Sequence, residues 1–161
     1  MPRLVTLLPC EKVIVDRDGM PSLIALFEHI NISVSQGEEI VEVPKETVTY
    51  HQWAVFSEWK VEEDEIATVD AADQILEVQF PDGSVAPIKG RLRFVFNSAG
   101  IHRNHQNILG FPIGQQGTYK IRVWLEKDGK PISEIAIREM KVIHKLPPGV
   151  EPKQVFGASP A

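Results

Sequence analysis

The chain has 161 residues, of which 43% are apolar and 24% charged, so it can bury one core and lacks the composition of a disordered protein. Its 17 basic and 22 acidic residues give a net charge of -5, which disfavours a nucleic-acid-binding surface. Cys10 is the single cysteine, which excludes an intramolecular disulfide and favours the cytoplasm. The apolar run at residues 4–8 is too short for an export signal, and no run approaches the roughly 18 apolar residues that span a bilayer.

The first two strands are predicted on either side of an Asp18-Gly19 turn. The flanking segments read LVTLLPCEKVIVD and SLIALFEHINISV, and their apolar content predicts central strands covered on both faces. A short helix after Pro21, with Ser22 as its cap, is the alternative for the second segment. The β-branched residues that alternate with polar ones in HINISV favour a strand.

Alternation of apolar and polar residues predicts three half-buried strands in the middle of the chain. The acidic run EEDEIATVDAADQ between the first two predicts either a helical turn or a solvated crossover. An Asp82-Gly83 turn joins the second and third as a hairpin. The expected inward residues are Trp53, Val55, Trp59 and Val61 on the first, Leu76, Val78 and Phe80 on the second, and Leu92, Phe94 and Phe96 on the third.

The clearest strand pattern lies in GTYKIRVWLEKDGKPISEIAI, where an Asp128-Gly129 turn predicts another hairpin. Beyond the turn, Ile135 and Ile137 occupy odd positions whereas Met140 and Val142 occupy even ones, so we expect a β-bulge near Arg138. The expected inward residues before the turn are Tyr119, Ile121, Val123 and Leu125.

About seven or eight strands without alternating helices predict an all-β antiparallel sandwich, with a barrel as the related alternative. The predicted domain spans residues 1–145. Residues 146–161 are rich in proline and predict an extended or disordered tail.

Two resemblances follow from these segments. IGQQGTYKIRVWL resembles a late strand of immunoglobulin-like sandwiches, which implies that Tyr119 bonds the backbone at a corner. The order of motifs across most of residues 4–143, beginning with LLPCEKVIVDRDGMPSLIALFEHI, resembles a bacterial family grouped as a domain of unknown function. That resemblance implies a bacterial origin and a sandwich fold, and it implies no catalytic residues.

His102 and His105 in GIHRNHQN are the candidate metal ligands, because two imidazoles in one loop can share zinc or nickel. His51 or a carboxylate would have to complete the site. A solvated polar loop is the simpler interpretation. A metal-dependent enzyme at these histidines is the alternative function, with a divalent metal as its cofactor. Otherwise no nucleophile, acid or base stands out, so catalysis is not favoured.

Residues 97–116 are predicted to form a long loop between strands. Its apolar side chains Phe111 and Ile113, together with Trp124, predict a protein-binding surface. Alternation places Trp124 on the outer face of its sheet, and cover by Arg122 is the other interpretation. The leading prediction is therefore a binding or scaffolding module for an unidentified protein partner or a second copy. A structural component of a phage or secretion assembly is a further alternative.

Overall fold

The structure, a computed structural model, describes residues 1–33 and 43–145. The predicted tail at 146–161 lies outside the described residues. Strands make up most of the described chain, and the helix found there, α1, spans only Glu63–Ile66. The strands are β1 (Arg3–Val15), β2 (Pro21–Leu26), β3 (His29–Ser33), β4 (Gln52–Val61), β5 (Ala71–Gln79), β6 (Val85–Val95), β7 (Gly100–Leu109), β8 (Gly117–Lys127), β9 (Lys130–Pro131) and β10 (Ala136–Lys145).

The strands form two sheets that pack face to face. Sheet A has the order β2-β1-β4-β7, and sheet B has the order β3-β10-β8-β5-β6, with β9 paired to β8. The predicted all-β sandwich is confirmed. The pairs are antiparallel except for β3 and β10, which run parallel. The three predicted Asp-Gly hairpins join β1 to β2, β5 to β6 and β8 to β9.

The core lies between the sheets and contains the inward residues of alternating positions, as the period of two predicts. Trp53 and Trp59 of β4 contribute the largest buried rings from sheet A. Sheet B contributes every inward residue predicted for β5 and β8, all of them buried: Leu76, Val78, Phe80, Tyr119, Ile121, Val123 and Leu125.

Tyr119 bonds the backbone at the start of β8. Its hydroxyl donates to the Gln115 carbonyl oxygen at 2.8 Å and accepts from the Gln115 amide at 3.1 Å. Burial raises the pKa of this phenol to about 12. The backbone bond predicted for Tyr119 is therefore confirmed, and it fixes the entry of the chain into the central strand of sheet B.

The segment predicted as one central strand after Asp18-Gly19 is divided between the two sheets. Its strand conformation is confirmed, but β2 ends at Leu26 in sheet A and β3 begins at His29 in sheet B. Ala25 takes a positive φ of 52° just before this crossing. Both β2 and β3 are edge strands, and the outward Ile24 and Leu26 of β2 are exposed, so the prediction of a central strand covered on both faces is wrong.

The region predicted as a loop, residues 97–116, contains the whole of β7. β7 pairs with β4 in continuous register from Gly100 to Leu109 and forms an edge of sheet A. The long-loop prediction is therefore wrong. The sequence predicted a loop because the inward side chains of β7 are mostly polar, so the hydrophobic alternation that identifies a strand is missing.

The predicted bulge near Arg138 is also wrong. β10 pairs with β8 in unbroken register from Ala136 to Val142. Met140 and Val142 face the core, whereas Ile137 faces outward and is 53% exposed. The apolar residues change from odd to even positions because both faces of β10 carry apolar side chains. The backbone therefore needs no extra residue at this point.

Candidate functional site

Trp124 lies near the middle of sheet B with its indole on the outer surface. β8 has neighbours on both sides in the sheet, and Ile75 of β5 is the register partner of Trp124. The indole Nε1 donates to Glu126 Oε1 at 2.8 Å, and the Arg122 guanidinium carbon lies 5.8 Å from the ring centroid. These contacts hold the half-buried ring in one orientation while leaving part of it exposed.

The apolar area around Trp124 extends across three strands. Ile75 lies on one side of the ring, and Ile137 of β10 stands beside Arg122 in register. Ile135, just before β10, is a further exposed aliphatic residue. A rigid aromatic ring with aliphatic neighbours is the composition found at the centre of protein interfaces.

Cross-strand ion pairs surround this apolar area. Arg122 Nη1 lies 2.7 Å from Glu77 Oε1, and Arg91 Nη2 lies 2.6 Å from Asp73 Oδ2. Arg93 approaches the second oxygen of Asp73 at 3.5 Å. The hydrogen bond from Arg91 lowers the pKa of Asp73, so this carboxylate is charged at neutral pH. We call this surface the Trp124 face; it consists of Asp73, Ile75, Glu77, Lys89, Arg91, Arg93, Arg122, Trp124 and Ile137.

The β6 border of the Trp124 face is positively charged. Lys89, Arg91 and Arg93 are exposed at alternate positions of this edge strand, and Asp73 together with Glu126 balances at most two of them. Lys89 stands beside Glu77 in register, but that carboxylate is bonded to Arg122. A protein of net charge -5 therefore carries a local excess of positive charge at this border.

Phe111 and Ile113 do not join Trp124 at the surface. Phe111 is 1% exposed and packs edge-on against Trp53, with ring centroids 5.4 Å apart. Ile113 is 9% exposed and belongs to the same core. Their predicted place in a partner-binding surface is wrong, because their backbone bonds Thr49 and Thr47 and both side chains pack into the core.

His102 and His105 lie in β7, three residues apart, and therefore point to opposite faces of sheet A. His102 Nε2 donates to the Ser98 carbonyl oxygen at 2.7 Å. The His102 ring packs edge-on against Phe96, with ring centroids 5.0 Å apart. His105 stands beside Phe56 on the outer face. At about 3.3 Å per residue, their Cα atoms are about 10 Å apart.

The two imidazoles therefore do not converge on a shared ion in this fold. Across residues 1–33 and 43–145, no group of three or more histidine, cysteine, aspartate or glutamate side chains is arranged to hold a metal. Cys10 is buried, and burial raises the pKa of its thiol.

Comparison with known protein families finds no family model that matches the chain, and comparison with curated proteins finds no match. Within the described ranges, no helix is long and apolar enough to cross a membrane.

Sequence reasoning identified Trp124 but missed Ile75 and Arg91. Arg91 stands beside Ile75 only beyond a register shift in the second hairpin, so the Asp82-Gly83 turn alone could not identify this pair. The neighbour of Ile75 on the other side of β5 is Trp124. The sequence could not predict this pair either, since β8 follows β5 only after a long stretch of chain.

Proposed function

We propose that this protein is a non-catalytic, immunoglobulin-like binding module that holds an acidic protein partner on the Trp124 face. The observation that carries this proposal is the half-exposed indole of Trp124, fixed between Arg122 and Glu126 at the middle of a sheet. Because the indole is already held in one orientation, covering it restricts Trp124 little further. Binding therefore costs little conformational entropy of this side chain.

The partner's chemistry follows from the border of the face. Lys89, Arg91 and Arg93 carry three positive charges, against which Asp73 and Glu126 supply two negative charges. A partner with carboxylates opposite β6 and an apolar group over Trp124 would meet both features. Charge complementarity of this kind raises the association rate and excludes partners of the wrong charge.

The rigid construction of sheet B also supports a binding role. The Trp124 face lies on four adjacent strands, and the bonded pair Arg122–Glu77 spans two of them. A surface on paired strands keeps its shape on binding better than a surface on loops. The bond from Tyr119 to Gln115 supports the immunoglobulin-like part of the proposal.

The experiment compares proteins captured from the host cells by the tagged wild type and by two matched variants. Trp124→Ser removes the indole from the face, and Tyr50→Ser removes a ring that is 94% exposed elsewhere on the surface. We expect a specific partner with the wild type and with Tyr50→Ser, and its loss with Trp124→Ser. Calorimetry with the purified partner should show binding weakened at least about tenfold by Trp124→Ser.

A second variant tests the charge requirement. Arg91→Glu reverses one charge of the β6 border and should slow association most strongly at low salt. Equal affinity of the wild type and Trp124→Ser for every captured protein would contradict the proposal.

A further inference from the structure

The last strand of sheet B, β6, is paired on one side only within the described residues. β5 pairs with it in continuous register from Lys89 to Val95. In such a strand the backbone N–H and C=O groups of alternate residues point away from the sheet, where they can bond an added strand. The hydrogen bonds to β5 show which residues these are.

Between Lys89 and Val95, the odd-numbered residues of β6 point away from β5. The Phe96 amide, directly after β6, donates to the Asp70 carbonyl oxygen at 3.0 Å. In an antiparallel pair, the residues that bond the partner strand recur at every second position. The even-numbered residues therefore bond β5, whereas Lys89, Arg91, Arg93 and Val95 direct their N–H and C=O groups to the unpaired side.

Pro87 limits this unpaired side at one end. Proline has no N–H, and in edge strands it is accommodated where that N–H would face away from the sheet, which agrees with the odd position of Pro87 in β6. We call the backbone from Lys89 to Val95 the open edge. Its seven residues extend over about 23 Å, so an extended segment of the same length would cover it.

Three cationic side chains alternate along the open edge on the outer face of sheet B. The side chains of Arg91 and Arg93 are 63% and 66% exposed. Their carboxylate neighbours, Asp73 on β5 and Glu126 on β8, both lie on the side of β6 away from the open edge. An added strand would place its own outward side chains about 5 Å from Lys89, Arg91 and Arg93, where opposite charges stabilise the pairing. Carboxylates at alternate positions therefore complement this edge.

A groove between β6 and β7 would receive the other side chains of an added strand. The groove has a volume of about 550 Å³ and is lined by residues 87–92 and 105–109. Leu92 and Ile108 are among its aliphatic lining residues. The two strands approach closely at Gly90, where an added Cβ would collide with the side-chain amide of Gln106. Short aliphatic side chains therefore suit this groove better than long or charged ones.

We infer that the acidic partner of the Trp124 face binds through an extended segment that pairs with the open edge as an added antiparallel strand. This pairing, which rests on the proposed function, requires acidic residues that alternate with short aliphatic ones. Antiparallel pairing sets each acidic side chain directly opposite a cation of β6 and is more stable per residue than parallel pairing. Main-chain hydrogen bonds supply the affinity in this mode of recognition, and the alternate side chains supply the specificity.

The same cations disfavour a second copy of this chain on the open edge. Antiparallel pairing of two β6 strands about their centre would set Arg91 opposite Arg91 and Lys89 opposite Arg93. Like charges directly opposite each other destabilise a strand pair, and charged residues on edge strands prevent the association of identical edges. An acidic segment meets no such repulsion.

The probe is a capped seven-residue peptide that alternates glutamate and valine, titrated against the wild-type protein by calorimetry at low salt. In the antiparallel arrangement the glutamate N–H groups face β6 and the valine N–H groups face away. N-methylation of the glutamates should therefore abolish binding, whereas N-methylation of the valines should leave the affinity within about threefold. A peptide that alternates lysine and valine should not bind.

Two variants of the protein test the same backbone groups. Arg91→Pro and Arg91→Ala both remove the cation, but only Arg91→Pro also removes an N–H from the open edge, as Pro87 does naturally. Arg91→Pro should bind the glutamate–valine peptide at least about tenfold more weakly than Arg91→Ala. Denaturant titration checks that both variants remain folded, and the methylated peptides test the wild-type protein without any substitution.

Absence of peptide binding at millimolar concentration, or equal binding of the two methylated peptides, would overturn the inference. Loss of binding on methylation of the valines alone would overturn the antiparallel direction. Self-association of the wild type that Arg91→Pro abolishes would assign the open edge to a second copy and also overturn it.

Failure of this inference can be told apart from failure of the proposed function. A captured partner that is lost with Trp124→Ser but binds Arg91→Pro and Arg91→Ala equally would leave the proposed function standing and refute strand addition. A captured partner that is indifferent to Trp124→Ser would refute the proposed function, whatever the peptide does at β6.

Discussion

Gln74 of sheet B accepts a hydrogen bond from the Trp59 indole of sheet A at 2.8 Å, inside the core. The same oxygen accepts the Ser57 hydroxyl at 2.7 Å, and the Gln74 amide donates to Gln106 Oε1 at 3.4 Å. These bonds join the two sheets through polar groups that are all buried. They fix how the sheets face each other, since a shift of one sheet would leave a buried donor without its acceptor.

Gln74→Leu should lower the free energy of unfolding by about 2–4 kcal/mol, because the Ser57 hydroxyl and the Trp59 indole both lose their acceptor in a dry core. Denaturant titration measures the change. Gln79→Leu is the control, on the same strand but facing outward, and should cost less than about 1 kcal/mol. Equal stability of Gln74→Leu and the wild type would contradict the structural role of this amide.

Tyr119→Phe should cost about 1–3 kcal/mol in unfolding free energy, because the half-buried Gln115 backbone loses both bonds to the hydroxyl. Tyr50→Phe, at a 94% exposed position, should cost less than about 0.5 kcal/mol.

The contribution of the Tyr119 hydroxyl should also depend on pH. Its pKa is raised to about 12 in the fold, above the value of about 10 in an unfolded chain. The stabilisation is therefore complete below about pH 10 and is lost as the pH rises towards 12. The stability difference between the wild type and Tyr119→Phe should shrink over this window. A difference that stays constant would refute the assignment of the shifted phenol.

Gly114→Ala should destabilise the fold by about 3 kcal/mol, because an added Cβ would collide with the carbonyl oxygens of Pro44 and Lys45. Gly90→Ala meets the side-chain amide of Gln106 instead, which can rotate, and should cost about half as much. Thermal unfolding of both variants compares the two positions. A smaller loss for Gly114→Ala than for Gly90→Ala would show that the backbone near Pro44 yields easily.

Strands with one apolar and one polar face could be predicted from the sequence. β8 is the clearest case, since Ile121 and Val123 alternate with Lys120 and Arg122 and the structure buries the first pair. Burial against the other sheet selects this alternation, so the pattern reports the fold directly.

Strands that depart from this rule could not be recognised. β7 places Asn104 and Gln106 inward, because the core of this sandwich contains a polar network, and the strand therefore resembles a loop. β2 has the opposite deviation: Ile24 and Leu26 face outward, so an edge strand resembles a central one.

The residues of the Trp124 face could also not be fully predicted from the sequence. Alternation placed Trp124 outward, but its neighbour Ile75 comes from a strand about fifty residues earlier, and such pairing depends on sheet order. The prediction for Phe111 and Ile113 failed because apolar residues between strands can close the end of a core as readily as they can bind a partner.

Quenching of tryptophan fluorescence by acrylamide tests the central claim most directly. The chain has three tryptophans, and Trp53 and Trp59 are buried, so the quencher reaches Trp124. Saturation with the captured partner should remove this quenching, because the partner covers the indole. Unchanged quenching of Trp124 in the fully formed complex would place the partner elsewhere and contradict the account.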